Sequence, residues 1–253
     1  MQKKLTPAER LIVAADFKPP PEQLDGECAT ARDWVGGQVL HLADSLQGTG
    51  VCIKVNSALR TCGYSLIGLL HQREVRVFAD LKLTDIGETL STDGMFLREA
   101  RPYLLTTMCA VGAPALRVLK AELPDTEVLG VTVLTSLKED DTQKMFGCSV
   151  AEAVMRFAQT AVDGNLDGLI SSPKEAEMIR AKFGTALSLN TPAIRPAWAV
   201  VPGDDQNLKR VMTPADAIKA GADRIVVGRP IIQAKNPRDA VMRTIDEIAS
   251  AMA

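Results

Sequence analysis

Short apolar runs alternate with longer amphipathic segments all along this chain, and that alternation restricts the fold more than any other feature. The apolar runs cover residues 11–16, 51–56, 75–82, 104–109, 127–134, 168–171, 186–190 and 224–227. They are brief and nearly continuous, the pattern of strands buried on both faces of a parallel sheet. The segments between them have helical spacing, at about 30–46, 66–73, 85–100, 114–122, 150–163, 173–183, from Thr213 onward, and 236–252. In the last of these Val241, Ile245, Ile248 and Met252 share one face. Ser172-Pro173-Lys174-Glu175, Thr213-Pro214-Ala215-Asp216 and Asn236-Pro237-Arg238-Asp239 each supply an N-cap, a proline at the first helical position and an acid at the third. Eight strand–helix units in 253 residues predict an α/β chain folded as a (β/α)8 TIM barrel, a single domain over residues 1–253. A doubly wound sheet competes, but it uses fewer units and opens on a glycine fingerprint after its first strand. Here the first strand leads into Phe17-Lys18-Pro19-Pro20-Pro21, and no linker or shift in composition divides the chain.

Charge and cysteine usage narrow the function. Twenty-nine basic and 31 acidic residues are mixed along the chain for a net charge of −2, with no basic arm, so no nucleic-acid partner is expected. The apolar run 11–15 is too short for a signal segment, and nothing approaches the roughly 18 apolar residues of a membrane span. Cys28, Cys52, Cys62, Cys109 and Cys148 are odd in number and lack C-x-x-C spacing, which predicts reduced thiols in a cytoplasmic protein rather than a disulfide framework or a zinc site.

In a barrel of this kind, chemistry sits at the carboxyl ends of the strands. Those ends offer Asp16, then Lys54 and Asn56, then Asp80 and Lys82 with Asp85 just beyond. Thr135 and Ser136 follow the fifth strand, Ser171 and Ser172 the sixth, residues 191–196 the seventh, and Gly228-Arg229-Pro230 the eighth. Strand alternation points Asp80 and Lys82 to one side and Leu81 to the other. A neutralised structural pair is the plain alternative, and Asp85, three residues before Glu88, fits a capping box. His41 and His71 fall in helical patterns and are expected to be surface or packing residues. After the last strand, Gly228 with Arg229 suits a phosphate, the glycine admitting close backbone approach and the guanidinium forking onto oxygens.

Asp80-Leu81-Lys82-Leu83-Thr84-Asp85-Ile86 matches a D-x-K-x-x-D-I signature, and through it the chain resembles orotidine 5′-phosphate decarboxylases. The resemblance extends in order over Asp16, Lys54, Val131-Thr132-Val133-Leu134-Thr135-Ser136, residues 191–196, Gly203-Asp204-Asp205-Gln206, Met212-Thr213-Pro214 and Gly228-Arg229-Pro230. The Thr-Pro-x-Ile-Arg-Pro run followed by Gln206 separates it from sugar-phosphate relatives that share the third-strand signature. The resemblance implies catalysis by Lys82, Asp80, Lys54 and Asp85, with no cofactor and no metal. It also implies substrate contacts from Asp16, Ile86, Thr89, Thr135, Ser136, Pro192, Arg195, Gln206, Gly228 and Arg229. The partner it implies is a second copy of the chain, since the second aspartate of the signature, Asp85, reaches into the other subunit's site. Two positions depart from the family pattern: Ala193 stands where glycine is usual, and Met108-Cys109 where many members have histidine.

The implied reaction removes CO2 from C6 of orotidine 5′-monophosphate, and its difficulty is a carbanion that no ring carbonyl delocalises. Positive charge must be supplied at C6 and then a proton, and Lys82 is the candidate for both. A Lys54–Asp80–Lys82–Asp85 chain of alternating charges would fix the ammonium in advance. Repulsion between Asp80 and the substrate carboxylate at about 4 Å amounts to about 4 kcal/mol at an effective dielectric near 20. Enzymatic accelerations need about 8–23 kcal/mol, so carbanion stabilisation by Lys82 must carry more. Residues 197–206, with Trp198 and Gly203, are expected to form a lid driven by phosphate binding. Rival expectations are a Mg2+-dependent sugar-phosphate decarboxylase or aldol-type synthase using Asp80 and Asp85, a Schiff-base lysine at Lys54 or Lys82, and an inactive barrel kept for interactions.

Overall fold

The computed structural model describes residues 4–21, 30–199 and 212–252. Strand β1 (Leu11–Ala14) lies parallel to β2 (Cys52–Val55), and the ladder continues through β3 (Arg76–Leu83), β4 (Leu104–Met108), β5 (Glu127–Val131), β6 (Gly168–Ile170), β7 (Ser188–Thr191) and β8 (Arg224–Val227). Strand β8 pairs back onto β1, with Ile12 opposite Val226, so the sheet closes and has no free edge. This is the eight-stranded barrel that the alternation predicts.

Strand alternation divides the apolar residues into two cores. Ile12, Ala14, Cys52, Phe78, Leu104, Leu129 and Val226 fill the barrel interior. Their neighbours Val13, Ile53, Val77, Leu105, Val128 and Ile225 face outward into the larger core beneath the helices. The N-terminal end of the barrel is closed by polar side chains rather than apolar ones. Arg224 meets both carboxylate oxygens of Glu127, at 2.8 and 2.7 Å, and also donates to Asn190 Oδ1 at 3.2 Å and Tyr103 Oη at 3.1 Å.

The helices are α1 (Ala31–Leu46), α2 (Ser57–Cys62), α3 (Ser65–His71), α4 (Gly87–Ala100), α5 (Ala113–Glu122), α6 (Glu139–Phe146), α7 (Val150–Asp163), α8 (Ala176–Phe183), α9 (Pro214–Lys219), α10 (Arg229–Ile232) and α11 (Pro237–Met252). The three predicted caps form: Ser172 accepts from Lys174 N–H, Thr213 from Asp216 N–H, and Asn236 from the N–H groups of Arg238 and Asp239. Helices α2, α6 and α10 were not expected. Two are only six and four residues long, and α6 buries Thr142 alone, so none shows an apolar stripe. Strands β1 and β5 stop short of the predicted Asp16 and Leu134, because their ladders run out at Ala14 and Val131. Val133 and Leu134, beyond the end of β5, line the mouth instead.

The capping box expected of Asp85 and Glu88 does not form. Ile86 is the N-cap of α4, without a side-chain cap, and Asp85 Oδ1 accepts from the Ile86 N–H at 2.7 Å. The helix starts one residue too late for Asp85 to occupy the capping position. Helix α4 packs closely on α5 at Gly94, where a Cβ would lie 2.7 Å from Glu122 Cβ.

Candidate active site

A cavity of about 370 Å3 opens at the carboxyl ends of the strands. Phe78, Val131, Ile170 and Val226 line it from inside the barrel, and Asp16, Lys54, Asp80, Lys82, Thr135, Pro192, Arg195, Gly228 and Arg229 bring the expected polar groups and loop residues to it. Its size falls within the range of small-molecule sites. Acidic and basic groups crowd one side of the mouth, at the ends of β1, β2 and β3. Arg195 and Arg229 come from the loops after β7 and β8.

The charges form a chain. Lys54 Nζ donates to both oxygens of Asp16 at 3.0 Å and lies 3.2 Å from Asp80 Oδ2. Lys82 Nζ donates to Asp80 Oδ1 at 2.7 Å. Lys54 and Asp80 are each 7% exposed, deep enough that neither would be tolerated without the other. Burial acts to raise the Asp80 pKa, but the Lys54 and Lys82 charges and hydrogen bonds from Lys82 and Thr106 outweigh it and hold the carboxyl below its ordinary 3.8. Within one chain the alternation is therefore Asp16–Lys54–Asp80–Lys82, with Asp16 at the Lys54 end, opposite the Lys82 end at which Asp85 was expected.

Simple strand alternation is not what brings Asp80 and Lys82 together. Ala79 pairs with Leu105 and Leu83 with Thr107, so β3 advances four residues where β4 advances two. The surplus is a bulge over Asp80, Leu81 and Lys82, and Lys82 sits in left-handed backbone at φ 49°. A bulge re-aims a side chain that a regular ladder would fix elsewhere. Four backbone groups of the bulge and its exit find side chains: Lys82 N–H donates to Thr106 Oγ1, Arg60 Nη2 to Leu81 O, Thr84 Oγ1 to Lys82 O, and Thr107 Oγ1 to Leu83 O.

Asp85, Ile86, Thr89 and Ser136 do not join this cavity. All four are exposed on the surface of the chain. Asp85 is close enough to Asp93 that its charge, after burial, helps to push that carboxyl up. Gln206 and the lid beyond Ala199 lie outside the described residues. At the lid's start, the Arg243 guanidinium stacks 4.3 Å over the Trp198 ring. His41 and His71 are exposed on α1 and α3, as expected.

The family departures have local consequences. Ala193 holds φ 63°, so the left-handed turn is kept with a side chain where glycine would carry none. Cys109 is 1% exposed in the outer core, and burial pushes its thiol up to about 12, which makes it a packing residue. Two residues of the mouth escaped sequence reasoning. Thr106 read as an ordinary strand residue, and no local signal distinguishes it. Ser171 was noted only as a strand end, yet its hydroxyl is buried on the cavity wall without a partner among the described residues.

A closed parallel barrel with a lysine–carboxylate chain in a cavity at its C-terminal mouth defines a TIM-barrel enzyme. The sequence matches the model of the Orotidine 5'-phosphate decarboxylase / HUMPS family over residues 9–244, and the chain belongs to that family. The orotidine 5'-phosphate decarboxylase of a Methylobacterium species is 36% identical over 256 residues, covering 99% of this chain and all of the relative. That of Syntrophomonas wolfei is 33% identical over 224 residues, covering 83% of this chain and 92% of the relative. Among solved structures, orotidine 5'-phosphate decarboxylase from Lactobacillus acidophilus superposes with a TM-score of 0.75 at 26% identity, covering 95% of this chain and 99% of the other.

Proposed function

We propose that this chain decarboxylates orotidine 5′-monophosphate to uridine 5′-monophosphate, a step of pyrimidine synthesis, without cofactor or metal. The observation that carries this reading is the Lys82 ammonium, held 2.7 Å from Asp80 and set in the cavity by a strained bulge. The bond from C6 to the carboxylate breaks, its electron pair stays on C6, and Lys82 stabilises that pair before transferring a proton to it. Asp80, kept ionised by two lysines, raises the energy of the bound carboxylate by repulsion. Asp16 and Lys54 hold the far end of the chain, so little reorganisation accompanies the reaction. Arg195 and Arg229 suit the phosphate, with Gly228, Thr135, Pro192 and Gln206 completing the substrate contacts. The test is the loss of substrate absorbance on adding purified protein with EDTA present. Activity unaffected by the chelator is expected, and strict dependence on Mg2+ would favour the sugar-phosphate reading. The donor set already disfavours that reading, because both Asp80 oxygens are taken by ammonium groups.

The active form we propose is a homodimer in which Asp85, Ile86 and Thr89 enter the partner's mouth. Supporting this, Ile86 is 71% exposed, and Met95 and Phe96 of α4 are 50% and 56% exposed, a costly display of apolar surface for a lone chain. Mixing inactive Lys82→Ala and Asp85→Ala proteins under conditions of subunit exchange should restore activity, because one site in each hybrid is intact. Absence of recovery would sink the shared site. A cytoplasmic location is supported by the free state of Cys52, Cys62, Cys109 and Cys148. Among the described residues no helix is long and apolar enough to cross a membrane.

A further inference from the structure

We propose that Thr106 is a positioning residue for the decarboxylation: its single hydroxyl ties the bulged backbone of Lys82 to the carboxylate of Asp80. This role rests on the activity inferred above. Thr106 lies in β4 with no exposure at all. Its oxygen accepts the Lys82 N–H at 2.9 Å, and its own hydroxyl donates to Asp80 Oδ1 at 2.9 Å. A hydroxyl has one proton to give, so the N–H arriving from Lys82 and the acceptor-only carboxylate together fix its orientation. The same Asp80 oxygen receives Lys82 Nζ at 2.7 Å. The contacts therefore close a ring that runs from the Lys82 backbone through Thr106 to Asp80 and back along the Lys82 side chain.

The ring explains how the mouth keeps a lysine in left-handed backbone. That conformation is disfavoured for any residue with a side chain and persists only where its surroundings hold it. Arg60 holds the carbonyl of Leu81, Thr84 that of Lys82 and Thr107 that of Leu83, and each of these bonds ends on a backbone oxygen rather than on a charged group. Of these four side chains, Thr106 is the one that joins the bulge's backbone to a charged group. Without its oxygen the Lys82 N–H would face the interior unpaired, and the bulge would relax toward the ladder, moving Nζ from its position over the cavity. A displacement of that kind harms the chemical step more than the binding of a phosphate held at the opposite side of the mouth.

Thr106→Val keeps the shape and removes the hydroxyl, while Thr106→Ser keeps the hydroxyl. With orotidine 5′-monophosphate as substrate, Thr106→Val should lower kcat about tenfold or more with KM changed by less than about threefold, and Thr106→Ser should return kcat to within about threefold of the parent. If Thr106→Val does not fold, Thr106→Ala against Thr106→Ser is read in the same way. Equal kcat in Thr106→Val and parent, a loss confined to KM, or a serine variant as poor as the valine one would overturn the role. A parent that leaves the substrate untouched would sink the activity and this role with it, whereas an active parent indifferent to Thr106→Val removes this role alone.

Discussion

At the residue scale, Asp80 shows how one group serves both stability and chemistry. A carboxylate that is 7% exposed would favour its neutral form if left alone. Lys54 and Lys82 reverse that preference and keep the folded pKa below 3.8. The stabilisation linked to it is therefore complete above the unfolded value of about 3.9 and is lost as pH falls through the lower folded value. Urea midpoints measured from pH 7 to pH 2 should fall more steeply below about pH 4 in the parent than in Asp80→Asn. Identical slopes would mean that the pair is not coupled to folding. Asp80, Lys82, Lys54 and Asp16 were legible in the sequence, because a charge at the end of a buried strand is costly unless a partner or a ligand meets it there. The hydroxyls of Thr106 and Ser171 were not, since threonine and serine are unremarkable in a strand until their neighbours in space are known.

At the scale of elements, the strands and the longer helices follow from periodicity and caps, and the irregular joints do not. The bulge in β3 carries no glycine to announce it, only Lys82 at φ 49°. The loop after β7 is similar, with Ala193 at φ 63°. Replacing Ala193 by glycine removes a strain of about 1–2 kcal/mol. It also adds unfolded-state entropy that costs about 0.4–1 kcal/mol. Ala193→Gly should then gain between about 0 and about 1.6 kcal/mol and leave kcat/KM unchanged. Ala193→Val should lose more than about 1 kcal/mol, because a β-branched residue fits left-handed backbone least well. Denaturant midpoints of the two variants check both signs. A stabilised valine variant would show that this turn is not the one described.

At the scale of the molecule, the two ends of the barrel do different work. Charges at the carboxyl end line a cavity, whereas the Arg224–Glu127 pair at the other end fills space and binds β5, β7 and β8 together through Asn190. Removing one partner of a buried pair costs about 3–5 kcal/mol. The Glu127 side chain is 21% exposed, so the loss for Arg224→Met should lie at or below the lower end of that range, about 2–3 kcal/mol. Thermal denaturation should show a fall in Tm of several degrees. A double variant, Arg224→Met with Glu127→Leu, should recover much of it, while retention of the parent Tm by Arg224→Met would show the pair to be idle. The mouth lies at the opposite end, so kcat at a temperature where the variant is folded should be close to the parent's.

The sequence by itself determined how many strand–helix units there are, that the strands are parallel and buried, and which charged residues stand at their carboxyl ends. These are local properties, written in hydrophobic periodicity, caps and position within a strand. Which of those charges meet was decided only by tertiary structure. Asp16 extends the chain at its Lys54 end within one subunit, and Arg224 finds Glu127 from 97 residues away. The two surplus residues in β3 follow the same rule, because a bulge is defined by the partner strand against which it is counted. Closing the barrel sets those distances, and no local pattern contains them.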